Sequence, residues 1–518
     1  NVAVGYKALE DITSGDYNIA VGKDAGASVT DAVSNIFIGQ AAGNTTTSAD
    51  KTIGIGHGAM QANVTSAAVG SIAIGYQALN ALTSGERNIA IGYQAMDALP
   101  DGDDNIAIGY GALTDASTSA TAKNVAIGSY AMENLNANGA SNVAIGYKAL
   151  ETANSNDIDG NVAIGAECMD GIGTAGVWGS TGVGAGAMSG AMTAASQGTV
   201  GIGYNTLAAL TSGAGNVAVG YQSCAAMTSN TGNTALGYQT LRVDNDYGDH
   251  NTAIGYQALE SLQMDADGHG QNTAVGYNAM QASVSPRYCV AVGSDALGGA
   301  NATGDGTVAI GYESLNDLTS GAGNTSVGYR ALSKQTDGHR NIALGYQAAE
   351  SMNSGESDNI MIGYNAAVSA DDAGFDYNIG IGNYVFDGVA SGVDAANNVA
   401  IGHAALSGTM VDASDNNTAI GHNAGADITS GDSNVIIGAY AGDSLTTALN
   451  NTAVGKDAMG AVTTATVDGA VAIGFQALYG SSSTTTGANY SIAIGKESLK
   501  ALTSGANNLA IGYQALAA

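Results

Sequence analysis

Tyrosine directly follows a glycine fifteen times in this sequence, as at Tyr76, Tyr93, Tyr110, Tyr147, Tyr204, Tyr221, Tyr238 and Tyr256. Each ring offers an apolar body and a polar tip. A row of exposed rings could bind glycan by stacking against sugar faces. The same row could instead fill a groove between a helical turn and a sheet, or between chains of an oligomer. His57, His403, His422 and Phe475 stand in the same place elsewhere. The eight tyrosines named above form the candidate surface-binding ladder.

Other side chains with chemical potential are scattered. His250, His269 and His339 follow Gly-Asp or Asp-Gly in separate turns, and no His pair has metal-ligand spacing. Acidic turns such as Asp371-Asp372 could hold Ca²⁺, but they lack the regular nonapeptide pattern of calcium-binding rolls. No cofactor is therefore expected. Cys168, Cys224 and Cys289 lie far apart, their odd count cannot pair fully within one chain, and no CxxC occurs. Buried free thiols are the reading that fits. Gly-x-Gly strings such as Gly182-Val183-Gly184 belong to a repeat and lack a dinucleotide-binding context. The spacing supports no nucleophile–base–carboxylate set, so no catalytic residue is assigned and no enzyme is expected. Sequons such as Asn63-Val64-Thr65 follow from composition alone.

Charge narrows the partners. With 14 basic and 45 acidic residues the chain carries a formal charge of −31. Such a surface repels nucleic acid and anionic membranes, whose phosphates call for Lys and Arg clusters. No apolar run reaches the ~18 residues of a membrane span, so no membrane insertion is expected. Hydrophobic residues make up 45% of the chain, too many for a disordered one. Only 4 Phe and 1 Trp stand beside 76 Gly, which suits thin stacked layers better than one thick core. The chain opens at Asn1 inside a repeat and without Met, as a piece of a longer protein would.

What positions these residues is a repeat. Asn88–Asp104 reads NIAIGYQAMDALPDGDD, and the general unit is N-[IVT]-A-[IV]-G-Y-x-A-[LM]-x-x-L-T-S-G. Its glycine, at Gly92 here, recurs 29 times at spacings of 17 to 21 residues and never fewer. A fixed minimum with small additions means coils of one circumference, with inserts confined to one surface turn. Thr152–Gly160, Gln263–Gln271 and Gly480–Tyr490 are such inserts, and both prolines, Pro100 and Pro286, fall in that turn. The expectation is a β-solenoid, a parallel β-roll or β-helix running from 1 to 518 as one continuous elongated array with no separate globular domain. At ~4.8 Å per coil it would form a rod roughly 135 Å long.

Within a coil, Asn-Ile-Ala-Ile-Gly alternates and predicts a short strand, with Ile89 and Ile91 on one side and Asn88, Ala90 and Gly92 on the other. Two or three buried Ile, Val or Leu per coil are expected to supply the core. In Tyr76–Leu82 the apolar Ala78, Leu79 and Leu82 fall at i, i+1 and i+4, which predicts one short α- or 3₁₀-like turn per coil. A second short strand would be the alternative. Asn occupies the first position in 21 coils and could bond up and down the stack. The third position is small except at Phe37, Met361 and Ile436, which lets another surface approach closely.

The tandem N-[TIV]-A-[VI]-G-Y-x-A-L units resemble repeats of tail-fibre-like proteins of phages and bacteria, arrays that often precede an endosialidase-type chaperone domain. The A-I-G segments are also similar to the head repeats of trimeric autotransporter adhesins. This sequence departs from those heads in its longer coil and its A-[LM]-x-x-L turn. The resemblance implies a homotrimeric attachment fibre at a virion or cell exterior, a spacer that contacts itself and a surface glycan or receptor. Two other functions fit the repeat: a self-assembling extracellular filament or surface layer, and an ice- or glycan-binding solenoid. Thr at the second position is sporadic (Thr234, Thr252, Thr273), which weakens ice binding.

Overall fold

Each N-[IVT]-A-[IV]-G segment forms a three-residue strand, as at Ile72–Ile74, Ile89–Ile91 and Ile106–Ile108. Flanking β-branched residues favour the extended backbone. The glycine that follows ends it, with φ of +146° at Gly92, and a Cβ there would overlap the Gly109 carbonyl of the next coil. Only glycine fits that column.

The computed structural model describes residues 1–517 except 116–120, 136–138, 153–157, 173–175, 245–247, 264–269, 300–302, 372–373, 412–413, 463–466 and 481–486. The three inserts named above lie largely outside the described residues. The chain forms two compact units, Asn1–Tyr256 and Gln257–Ala518. In the first, fifteen of these strands, from Val2–Val4 to Thr252–Ile254, pair in chain order. The second holds fourteen, from Thr273–Val275 to Leu509–Ile511. All these pairings are parallel and in register, so Ile72 faces Ile89, Ala73 faces Ala90 and Ile74 faces Ile91. Each unit is a parallel β-solenoid. Fourteen steps of ~4.8 Å give the first unit a height of roughly 67 Å.

The short helical turn is not there. Among the described residues the one helical element is a 3₁₀ turn at Ala194–Ser196. In its place the chain alternates in hand: Gln77 and Leu79 take φ of +54° and +49°, with Ala78 between them not in the left-handed region. Alternating hand flattens the chain, and its N–H groups point along the stack. Gln77 N–H donates to the His57 carbonyl of the preceding coil at 2.9 Å, and Leu79 N–H donates to the Ala95 carbonyl of the following coil at 3.0 Å. A helix would turn those bonds inward on itself. Bonding to both neighbouring coils satisfies the same groups and locks the stack.

The core also differs from the expected one. Ala73, Ala78, Leu79 and Leu82 are fully buried, as are Ala90, Ala95, Met96 and Leu99 one coil on. Ile74 and Ile91, by contrast, stand outward at 36% exposure each. The strand turns its alanine inward because the facing wall already carries two large side chains per coil. Each of these buried leucines or methionines contributes ~1.5–3 kcal/mol. The small third column thus admits the chain's own opposite wall.

The exceptions in that column obey a volume rule. Phe37 is buried and packs against Gly26 and Gly43, which stand where Leu or Met is usual. Ile436 packs against Gly425 and Gly442 in the same way. Around Met361 the corresponding residues are Ala349 and Ala367, and all three are buried. Summed volume per layer is held while the side chain that supplies it changes walls.

Asn side chains stitch the coils from inside. Asn105 N–H donates to Asn88 Oδ1 at 3.0 Å, and Asn88 Nδ2 donates to the Gly102 carbonyl at 2.6 Å. The pattern repeats at Asn124, Asn142 and Asn161, all buried. Ser71 and Thr52 substitute a hydroxyl, and Cys289 a thiol whose Sγ lies 3.0 Å from the Gly304 carbonyl. All three cysteines are free and buried.

Candidate binding surface

The outward residues of the strands make one face of each unit. None of these strands contains Asp, Glu, Lys or Arg, and the first and third positions are Ile, Val, Leu or Thr throughout. Ile19, Val21, Ile38, Ile91, Ile108 and Ile202 are each 36–38% exposed. On a chain of formal charge −31 this face is neutral and apolar. Ordinary monomers rarely expose a continuous apolar patch beyond a few hundred Å².

The tyrosine ladder borders this face. Tyr76, Tyr93, Tyr110, Tyr147, Tyr204, Tyr221, Tyr238 and Tyr256 are all exposed, at 40–49%. The glycine before each sets it at the strand's end, and the parallel register brings successive rings over one another. Tyr76 and Tyr93 stack with centroids 4.9 Å apart, and Tyr93 and Tyr110 at 5.2 Å. Tyr204, Tyr221, Tyr238 and Tyr256 form a second run at 5.0–5.4 Å. In the other unit, Tyr312, Tyr329, Tyr346 and Tyr364 stack at 4.9–5.4 Å. Ring faces are turned to one another, so solvent meets ring edges along each run.

Three members of the ladder escape the Gly-Tyr pattern. Tyr130, Tyr384 and Tyr440 stand one residue later, where Ser129, Asn383 and Ala439 follow the glycine. Tyr130 bridges Tyr110 and Tyr147 edge-on, with centroids at 5.1 and 6.4 Å. Tyr384 joins Tyr364 to His403 in the same manner, and Tyr440 meets His422. A tyrosine one place late, after Ser129, Asn383 or Ala439, was the available signal. Between Tyr147 and Tyr204 the column holds Ala166 and Ala185 and has no ring.

The acidic turns have structural work of their own. Asp103 Oδ1 accepts the Glu86 backbone N–H at 2.8 Å, and Asp159 Oδ1 accepts that of Ala140 at 2.7 Å. Asp50, Asp249, Asp305, Asp415 and Asp468 repeat the bond to the preceding coil. At the same place His339 Nδ1 accepts Ala322 N–H at 3.0 Å. These side chains cap an N–H that the backbone ladder leaves unmet.

Elsewhere carboxylates face each other across coils. Burial, then the charges of Asp427 and Asp457, push the Asp443 carboxyl up to about 6. Burial and then Glu151 and Asp115 raise Glu133. The Arg87 guanidinium holds Asp104 low, as Arg340 does for Asp358. Burial pushes the Cys168 thiol up to about 12 and Cys289 to about 11, which leaves both protonated and unreactive at neutral pH.

Among the described residues no three His, Cys, Asp or Glu side chains come together as a metal would need. His269 and Asp372 lie outside the described residues. No helix among them is long and apolar enough to cross a membrane. No protein-family model matches the chain, and no curated protein is significantly similar to it. The class that the fold defines is the repeat-built parallel β-solenoid.

Proposed function

We propose that the chain is a structural attachment fibre, a rigid extracellular or virion-surface spacer of the tail-fibre or adhesin-shaft kind. It packs against further copies of itself, as a homotrimer in the arrangement the repeats' resemblance implies, and carries contacts to a surface glycan or receptor. The observation that supports this most is the neutral Ile/Val face on a strongly acidic chain. Copies that repel elsewhere can meet only where charge is absent, and burying apolar rows there is favourable. An obligate homo-oligomer uses such a face as half of a core.

Sedimentation velocity and negative-stain imaging at micromolar concentration test the reading. A discrete trimer supports the attachment fibre. Particles that lengthen or thicken without limit as concentration rises favour the self-assembling filament. A monomer at every concentration, unchanged by Ile91→Glu with Ile108→Glu on the face, overturns both.

A further inference from the structure

Specificity in a repeat should reside where the repeat is broken, and one break lies at Ala166 and Ala185, two successive coils with no ring in the tyrosine column. There the chain places its one tryptophan, Trp178, outward at 53% exposure. It pairs in a parallel bridge with Asp159 one coil below, which pairs likewise with Ala140. Ala140, Ser141, Asp159, Gly160, Trp178 and Gly179 line an open groove of about 610 Å³. A Cβ at Gly160 or Gly179 would meet nothing within 4 Å, so the floor beside the indole is bare backbone. In other coils this column carries Arg87, Asp104 or Lys123.

We infer that this groove is a binding site for a neutral pyranose oligosaccharide, with Trp178 as the stacking platform and Asp159 as the hydroxyl acceptor. The inference rests on the attachment reading and gives it a specific ligand class. An indole face matches the C–H face of a pyranose in size and polarity, and unlike the rings of the tyrosine ladder it has no aromatic neighbour stacked on it among the described residues. Asp159 Oδ1 is held by Ala140 N–H at 2.7 Å, which fixes the carboxylate. Oδ2 accepts no bond from the described residues and is available to sugar hydroxyls. The groove's charge selects the sugar: one carboxylate and no Lys or Arg among the lining residues disfavour uronic or sialic acids. A quaternary ammonium group would need a cage of several rings, and one ring lines this groove.

Because Trp178 is the only tryptophan, its emission reports on the groove alone. The full chain is titrated with cellohexaose, chitohexaose, mannohexaose and galactohexaose, with sialyllactose and choline as charged probes. A saturable emission shift with at least one neutral hexaose, at a Kd on the order of 1 mM or tighter, is expected. Asp159→Asn should weaken that binding at least threefold with the particles unchanged in electron micrographs. Trp178→Ala, read by calorimetry, should abolish it. The inference is overturned if no neutral hexaose shifts the emission, if choline or sialyllactose alone does, or if Trp178→Ala binds as well as the parent. Assembly is measured on the same samples, so the two readings fail separately. Trimers that ignore every hexaose sink this site and leave the fibre, whereas monomers that bind a hexaose do the reverse.

Discussion

Asn88 Oδ1 accepts the backbone N–H of Asn105 one coil on, at 3.0 Å, with both residues buried. The relation is directional, since each Asn serves the next coil's backbone and draws on the preceding one. Asn105 in turn accepts Asn124 N–H at 3.0 Å and donates to the Thr121 carbonyl.

Asn105→Ala therefore orphans a buried N–H at Asn124 and takes one donor away from the Thr121 carbonyl. A loss of ~2–4 kcal/mol is expected locally. Amide exchange at Asn124 should accelerate roughly thirtyfold or more, while coils far from the site keep their protection. Asn105→Ser should lose less, because Ser71 already fills this column with a hydroxyl that accepts Asn88 N–H.

Two glycine substitutions should separate close packing from backbone conformation. Gly92 and Gly198 both have positive φ, +146° and +63°. A Cβ on Gly92 overlaps the Gly109 carbonyl, whereas one on Gly198 meets nothing within 4 Å. Gly198→Ala should cost ~1 kcal/mol, the ordinary left-handed penalty. Gly92→Ala should cost ~3 kcal/mol or more, since no rotamer can relieve a backbone overlap. Urea unfolding of the two variants side by side checks the difference.

The volume rule predicts a strong coupling. Phe37→Ala should cost ~3–5 kcal/mol by leaving a cavity. Gly43→Leu should also destabilise, because its side chain enters the space of the Phe37 ring. Gly43 has φ of +58°, close to the +49° of Leu79 in the same column, so leucine is tolerated there once room exists. The double variant should accordingly be more stable than either single one, a coupling of ~2 kcal/mol or more in a double-mutant cycle.

Mild acid should stabilise the fold. Asp443 sits at about 6 against an ordinary 3.8, so the folded chain holds that proton more tightly than the unfolded chain. Its penalty is full above pH 6, falls as pH drops through 6, and is gone below 3.8. Burial likewise raises Asp97, Asp170, Asp376 and Asp387. Asp104 and Asp358, held low by arginines, work in the opposite direction, but they are exposed and solvent screens them. Thermal melts should peak nearer pH 5 than pH 8. Asp443→Asn should raise stability at pH 8 by ~1 kcal/mol after allowance for its partial exposure, and by nothing at pH 3.5.

Much of this architecture was legible in the sequence. The spacing of the 29 glycines gives the coils, and alternation at Ile89–Ile91 gives the strands. Burial of Ala78, Leu79 and Leu82 was legible too, but its i, i+1, i+4 spacing suits a helical turn and a flat wall equally. What decides between them is whether Leu79 N–H finds its acceptor four residues back or in Ala95 of the next coil, and no local propensity encodes that. Alternation likewise assigned Ile91 and Ala90 to opposite sides without saying which side was inside. Larger apolar residues normally go in, and here the opposite wall had filled the space. The tyrosine ladder could be read from its eight clearest members, while Tyr130 needed the register to be seen. The Phe37, Gly26 and Gly43 exchange lay in plain view at matching positions of adjacent coils. The tyrosine column's break at Ala166 and Ala185 lay there too.

The alternation in hand that replaces the helix has a mechanical consequence. Almost all bonds between coils, from the strand and from the flattened wall, run along the stacking axis. A pull applied along that axis loads one coil's bonds at a time rather than all of them in shear. Each rupture frees 17 to 21 residues, which lengthen from one ~4.8 Å step to about 55 Å or more of extended chain. Either unit under tension should therefore yield in a train of small, nearly equal events, dissipating load coil by coil while the remaining coils stay folded.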